Sequence, residues 1–168
     1  MIPVIRRITA APADVERYRA CRLEMLADEP IAFTRTYESA SKQPQSFWIE
    51  RVTRGAESDR QLLLVAEKEE VFVGSFTAII NDDGDCWIYG VWVHKRHRGT
   101  GLTKRLLEQV IAWAKAAGAK RLMLHVNSTN DRARRFYERE GFQLTGGKYP
   151  HENFPTTDEL EMSRPLER

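Results

Sequence analysis

Arg96, His97, Arg98, Gly99, Thr100 and Gly101 stand where the apolar stretch Cys86–Val93 gives way to a helical spacing that begins at Leu102. A helix N-terminus leaves backbone N–H groups unpaired, and the macrodipole makes that end positive. Glycines there let an anion approach the main chain and permit φ > 0. Flanking arginines add charge-assisted contacts to phosphate. The chemistry indicated is a seat for phosphate or pyrophosphate. Spacing alone leaves a second reading open, a tight strand-to-helix turn whose arginines are solvated. Two familiar phosphate loops are excluded. A dinucleotide fingerprint needs a third glycine where Lys104 stands, and a P-loop needs Gly-Lys-Ser/Thr at its end, whereas Thr103 precedes Lys104.

Other reactive side chains read more plainly. Tyr137 follows Phe136 on a helical pattern, and from its residues alone is a core tyrosine. His94 and His97 lie three apart without further ligands at metal-binding spacing, which leaves them as solvated loop histidines. Trp48 and Trp113 fall on apolar helix faces and are expected in the core or half-buried, while Trp87 and Trp92 stay open. Cys21 and Cys86 have neither metal nor redox spacing and read as packed, reduced thiols.

The elements that must position these groups follow from periodicity. A strand over 2–9 precedes a helix over 12–27, with Val15, Tyr18, Arg22 and Met25 at helical spacing. Residues 28–43 are irregular, and a helix over 44–55 is bounded by Pro44 in its first turn and Gly55 as C-terminal cap. Residues 61–68 and 71–80 pair around a turn at Glu69–Glu70, and after the turn signal Asn81–Asp85 the chain returns as a third strand. The helix over 101–118 has an apolar face of Leu102, Leu106, Leu107, Val110, Trp113, Ala114 and Ala117. A strand over 121–126 leads to a helix capped by Ser128 with Asp131, and two final strands flank a long loop, 147–158. The order β-α-α-β-β-β-α-β-α-β-β specifies an α/β architecture, a mostly antiparallel mixed sheet flanked by helices, in a single domain over 1–168.

With 42% hydrophobic and 30% charged residues and a net charge of +2, the chain reads as a globular protein too weakly basic to argue for nucleic acid. No apolar run reaches the ~20 residues of a membrane span, and no signal peptide is evident, so the expectation is a cytoplasmic protein.

The stretch Val91–Leu102 followed by a long amphipathic helix resembles the acyl-CoA signature of the GNAT superfamily of N-acetyltransferases, with Arg96, Gly99 and Gly101 at the matching positions. A second stretch is similar too: Asn130, Ala133, Tyr137, Glu138, Gly141 and Phe142 fit that family's downstream motif in register. The element order agrees over essentially the whole chain. The departures are Lys95 where proline is frequent and Thr103 where a small residue is frequent. The resemblance implies a GNAT-like fold with strands splayed at the cofactor site, and acetyl-CoA as cofactor. It places the pyrophosphate on the amides of Arg98, Gly99, Gly101 and Leu102, with Arg96 and Thr100 in the same turn. Val91, Trp92 and Val93 would pair with the pantetheine arm, Asn130 would contact it from the other side, and Tyr137 would serve as general acid to the sulfur. Arg132, Arg134, Arg135 and Lys95 are candidates for the ribose phosphate.

Acyl transfer also requires that the acceptor amine lose a proton, since a lysine-like amine has a pKa near ~10.4. Glu24, Glu29 and Glu38 are candidate bases, with Tyr89 or a water beside it; spacing singles out none, and Glu38 is carried forward. The expected activity is acetyl transfer to a primary amine of a small molecule by direct attack in a ternary complex, in a monomer or homodimer. The segment Glu29–Glu38 resembles one found in small-molecule members of the family. A protein α-amine or lysine as acceptor, and a non-catalytic CoA-binding module, are the alternatives. The loop 147–155 either closes over the acceptor or is a plain hairpin connection.

Overall fold

Leu62, Leu63, Leu64, Val65 and Ala66 are apolar without alternation, the pattern of a strand covered on both faces. In the computed structural model, which describes residues 2–167, this run lies in β2 (Gln61–Lys68), and all five residues are buried. Leu62, Leu64 and Ala66 face one core together with Leu106, Leu107 and Val110 of helix α4 (Leu102–Ala116). Leu63 and Val65 face the opposite core, with Val15, Tyr18 and Met25 of α1 (Pro12–Asp28) and Trp48 and Val52 of α3 (Gln45–Glu57). One sheet is thereby packed between two helical layers.

The sheet has seven strands in the order β1-β2-β3-β4-β5-β7-β6: β1 (Val4–Arg7), β3 (Val71–Ile80), β4 (Asp85–Val93), β5 (Arg121–Asn127), β6 (Gln143–Pro150) and β7 (Asp158–Pro165) join β2. Every pairing is antiparallel except β4 with β5, which is parallel. This parallel pair holds only at Asp85↔Arg121, Cys86↔Leu122 and Trp87↔Met123. Beyond Trp87 the two strands diverge, and a wedge opens between Ile88–Val93 and Leu124–Asn127. The turn at Glu69–Glu70 is as expected, with both residues at positive φ (53° and 63°), the geometry that matches hairpin twist.

Several boundaries differ from the sequence reading. Gly55 does not cap α3: Ser58 does, and Gly55 lies buried inside the helix. A Cβ at Gly55 would fall 2.4 Å from Leu63 Cβ, so glycine here permits helix and strand to touch. Pro44 is the N-cap of α3, one residue before the first turn. The segment read as irregular contains a 3₁₀ turn (Pro30–Ala32) and the short α2 (Tyr37–Ser41), whose start is fixed by Thr36 accepting the Ser39 amide. Helix α5 (Asp131–Arg139) is capped by Asn130, whose Oδ1 accepts the Ala133 amide at 3.2 Å, while Ser128 instead accepts the Asp158 amide. Such a cap contributes about 1 kcal/mol. Strand β6 continues through Gly146–Pro150 because a register shift after Leu144 re-pairs Lys148 with Leu160; as an edge strand it tolerates Pro150 at its end. Of the face proposed for α4, Trp113 is half-buried and Ala117 exposed. No helix among the described residues is long and apolar enough to cross a membrane.

Candidate active site

The wedge between β4 and β5 is the mouth of a cavity of about 820 Å³, within the usual range for small-molecule sites. Its walls are the parted strands. Its far side is α5, through Ala133, Phe136 and Tyr137, and its rim runs from Glu29 to Thr34 after α1. Strand β4 is bent where it leaves β5. Ser75 pairs with Trp92 and Thr77 with Tyr89, so Gly90 and Val91 together oppose Phe76, a β-bulge with Gly90 at φ 58°. Past the bulge, the His94 amide donates to the Val73 carbonyl. Antiparallel alternation therefore turns the N–H and C=O of Val93 toward the wedge, where Arg98 Nε donates to that carbonyl at 2.9 Å.

The turn into α4 forms a cradle. Gly99 and Gly101 adopt φ of 75° and 87°, and a Cβ at either would meet nothing within 4 Å. Among the described residues, no acceptor of the chain takes the amides of Gly99 through Lys104. Gly99, Gly101, Thr103 and Lys104 all line the cavity. Open space above successive unpaired amides at a helix N-terminus suits a diphosphate. The Arg98 amide is a weaker member than expected, since it donates to the Lys95 carbonyl at 3.4 Å.

The arginines do not flank this cradle as supposed. Arg98 turns inward: Nη2 meets Asp28 at 2.7 Å and Glu29 at 3.4 Å. Asp28 also accepts from Trp92 Nε1 at 3.0 Å, and this bond, together with Arg98, holds its carboxyl below the usual range despite burial. Trp92 is consequently a core residue, not a ligand platform. Arg96 lies on the opposite side, in a shallow hollow with Glu24, His94 and His97. His94 is no solvated loop residue: Nδ1 accepts the Arg96 amide and Nε2 lies 3.2 Å from Glu24. Thr100 is exposed and donates its hydroxyl to the His97 carbonyl, and Leu102 is buried under the sheet. Among the candidates for a ribose phosphate, only Arg132 lines the cavity, paired with Glu29 at 3.0 Å. Lys104 and Arg139 line it as well, and the sequence reading did not consider them. Asn130 lines the cavity too, with its carbonyl oxygen committed to the α5 cap.

Tyr137 is 6% exposed, packed edge-on against Phe136 and Phe142, and faces the cavity. Its hydroxyl has no hydrogen-bond partner among the described residues. Burial, and secondarily the nearby Glu29 carboxylate, push its pKa up, so it holds its proton at neutral pH.

The proposed base does not reach the cavity. Glu38 sits on α2 with its side chain 81% exposed and pairs with Lys42 at 3.0 Å. Five residues of short helix, started by the Thr36 cap, carry it outward. Glu24 belongs to the hollow behind β4. Glu29 lines the cavity but is held by Arg98 and Arg132. Tyr89 also lines it, with burial raising its pKa. A further carboxylate was missed: Glu159 lines the cavity from β7, opposite Asn127 of β5. His151 lies beside it. The buried ring accepts the amides of Asn153 and Phe154 at Nδ1, and its Nε2, 3.4 Å from Glu159, makes no hydrogen bond among the described residues. His151 and Glu159 are separated by a turn and carry no motif, so only the β5–β7 register brings them to the wedge. The same loop docks over the rim, where Asn153 donates to the Thr34 carbonyl. Among the described residues no cluster suits a metal ion.

A family model described as the acetyltransferase (GNAT) family matches residues 23–142. An uncharacterized N-acetyltransferase of Mycobacterium bovis is 36% identical over 87 residues, 52% of this chain and 56% of that protein. The chain thus spans about half the length of the curated relatives it matches. The fold is similar to that of a GNAT-family acetyltransferase from Streptococcus pneumoniae, with a TM-score of 0.84 at 20% identity over 98% of this chain and 99% of the other. It is also similar to yncA from Salmonella typhimurium, solved with acetyl-CoA, with a TM-score of 0.75 at 20% identity over 100% and 96% of the two chains. The glycine turn at the start of α4, the parted strands β4 and β5, and a family match over more than half its length agree: this chain belongs to the GNAT acetyltransferase family.

Proposed function

We propose that the chain is an acetyl-CoA-dependent N-acetyltransferase, acting as a single domain, that transfers an acetyl group to a primary amine of a small molecule by direct attack within a ternary complex. One observation carries this reading. Gly99, Gly101, Thr103 and Lys104, whose amides are unpaired among the described residues, and Tyr137 line one cavity, at the place where β4 leaves β5. Family neighbours solved with acetyl-CoA or coenzyme A support the choice of cofactor.

Acetyl-CoA, when bound, supplies an acyl group activated as a thioester. The amides of Gly99, Gly101 and Leu102 would hold its diphosphate, aided by Lys104 and Arg132. Val93, with its N–H turned into the wedge, would donate to the pantetheine arm in the manner of an added strand. Holding both reactants in one cavity is worth about 7–11 kcal/mol of barrier if they meet at attack geometry. Tyr137 keeps its proton at Oη, available to the departing sulfur. Glu159, which lines the cavity beside His151, would take the proton of the acceptor ammonium. Glu29 is less suited, because two arginines already neutralise it. The docked loop, with Asn153 bonded to Thr34, narrows the acceptor side and favours a small molecule over an extended peptide.

The test is to mix the protein with acetyl-CoA and a panel of amines, following free thiol and product mass. Intersecting initial-velocity patterns are expected; parallel patterns exclude the ternary complex, and thiol release without an acetylated amine excludes the transfer.

A further inference from the structure

Among the described residues, Arg22 is the one charged side chain on the buried face of α1 whose charge has no carboxylate partner. The residue is 6% exposed and lines the cavity. Its guanidinium lies over the ring of Phe33, 5.2 Å from the centroid, and Nη1 is 3.3 Å from Met25 Sδ. A thioether is a weak acceptor and a ring face is no anion. Nε has no hydrogen-bond partner at all, and no carboxylate approaches within 4.0 Å among the described residues. Other partly buried arginines differ: Arg6 grips Asp14 and Glu67, and Arg98 grips Asp28 and Glu29. A buried charge without a partner is costly, so it persists where a ligand supplies one.

Two more cations sharpen the point. Arg35 stacks on Phe47 and Arg51 on Tyr18, neither with a carboxylate within 4.0 Å. Both act electrostatically on Arg22, whose pKa falls to about 10, chiefly through burial; it remains charged at neutral pH. This wall of the molecule therefore attracts anions. The anion is not the diphosphate, whose cradle lies beyond the end of β4 on the α4 side. Arg22 is met in mid-strand instead, at the bulge. A Cβ at Gly90 would stand 3.4 Å from Arg22 Nη1, so the glycine leaves the guanidinium open to the gap. Glu159, a carboxylate that no arginine or lysine neutralises among the described residues, lines the same cavity.

We propose that the acceptor is an amino acid or similar amino-carboxylate, whose carboxylate is bound by Arg22 while its amine faces Glu159. This rests on the acetyltransferase reading and narrows its acceptor class. The carboxylate accepts from the planar guanidinium fork, and the zwitterion meets opposite charges at its two ends. Simple diamines, with a cation at each end, are disfavoured by the same arrangement.

The test compares the common L-amino acids with their α-amides and their decarboxylated amines. Binding is measured by calorimetry and thermal shift on the intact wild-type chain without acetyl-CoA, and transfer is measured with it. Acids are expected to bind about 10- to 100-fold more tightly than their amides, the range for a charged hydrogen-bonded contact. In Arg22→Met that ratio should fall to about one; in Arg22→Lys it should survive in part, because the charge remains without the fork. Equal binding of acids and amides to the wild type, or no binding of any acid, overturns the proposal and needs no variant. Acid binding lost in Arg22→Met, without any acetyl-CoA binding, leaves Arg22 as an amino-carboxylate site and removes the acetyltransferase reading instead.

Discussion

Asp28 at the end of α1 accepts from Arg98 at 2.7 Å and from Trp92 Nε1 at 3.0 Å, and so ties the helix to both the last part of β4 and the turn that opens α4. The anion cradle is thereby anchored from a distance of seventy residues in sequence. Asp28→Ala strips Trp92 Nε1 of its acceptor and leaves Arg98 Nη2 only Glu29 at 3.4 Å, and should cost about 1–2 kcal/mol, measured by urea unfolding. Because the carboxyl is held below its ordinary pKa in the fold, its contribution is fully present above the unfolded value near ~3.9 and is lost as pH falls toward the folded one. The gap between wild type and variant should close on acidification. A gap that stayed constant down to strong acid would detach Asp28 from this role.

Gly101→Asp tests the cradle. The new Cβ meets nothing within 4 Å, and the left-handed φ of 87° costs an aspartate about 1 kcal/mol, so the fold should survive. The added carboxylate, in contrast, sits among the amides that would hold a diphosphate. Acetyl-CoA affinity should fall by about 100-fold or more. Calorimetry showing wild-type affinity would end the assignment of that turn.

What the sequence disclosed follows from where the information is local. The α4 entry was legible because glycines, a strand pattern and an apolar helix face all lie within some thirty residues. Tyr137 was legible through its motif; that it faces the wedge follows from the packing of α5. Glu38 lies outside the cavity because its direction is set by the Thr36 cap, which starts α2 one residue later and points the side chain to solvent. Glu159 was invisible because its place depends on pairing between β5 and β7, thirty residues apart, and on a histidine that no spacing rule links to it. Arg22 stands at helical spacing with Val15, Tyr18 and Met25 and is buried with them, but periodicity cannot tell a paired charge from an unanswered one.

Tyr137→Phe removes one oxygen from a ring that packs between Phe136 and Phe142 and should leave the fold intact. Turnover should fall by about 10²-fold or more, the usual worth of a general acid, with acetyl-CoA affinity changed little. The raised pKa also sets the pH behaviour: Tyr137 stays protonated well past neutrality, so no alkaline loss of kcat below about pH 10 arises from it. An unchanged rate in the variant takes the hydroxyl out of the mechanism, and an alkaline limb that vanished with Tyr137 would contradict the assigned pKa direction.

Gly55→Ala sets two effects against each other. Alanine in a helix interior is favoured over glycine by about 1 kcal/mol. Here, however, its Cβ would fall 2.4 Å from Leu63 Cβ, a buried strand residue that cannot retreat because β2 is paired on both edges. Overpacking of this kind costs about 1–3 kcal/mol, and a backbone-fixed neighbour places it at the upper end. The overlap wins, and the variant should be destabilised by about 1–2 kcal/mol in urea with an unchanged m-value. Adding Leu63→Ala should not rescue it, since the closest atom is the Cβ that alanine retains. Rescue by that second change would show that the contact is with the leucine's outer methyls, and that α3 sits farther from β2 than its packing on Leu63 requires.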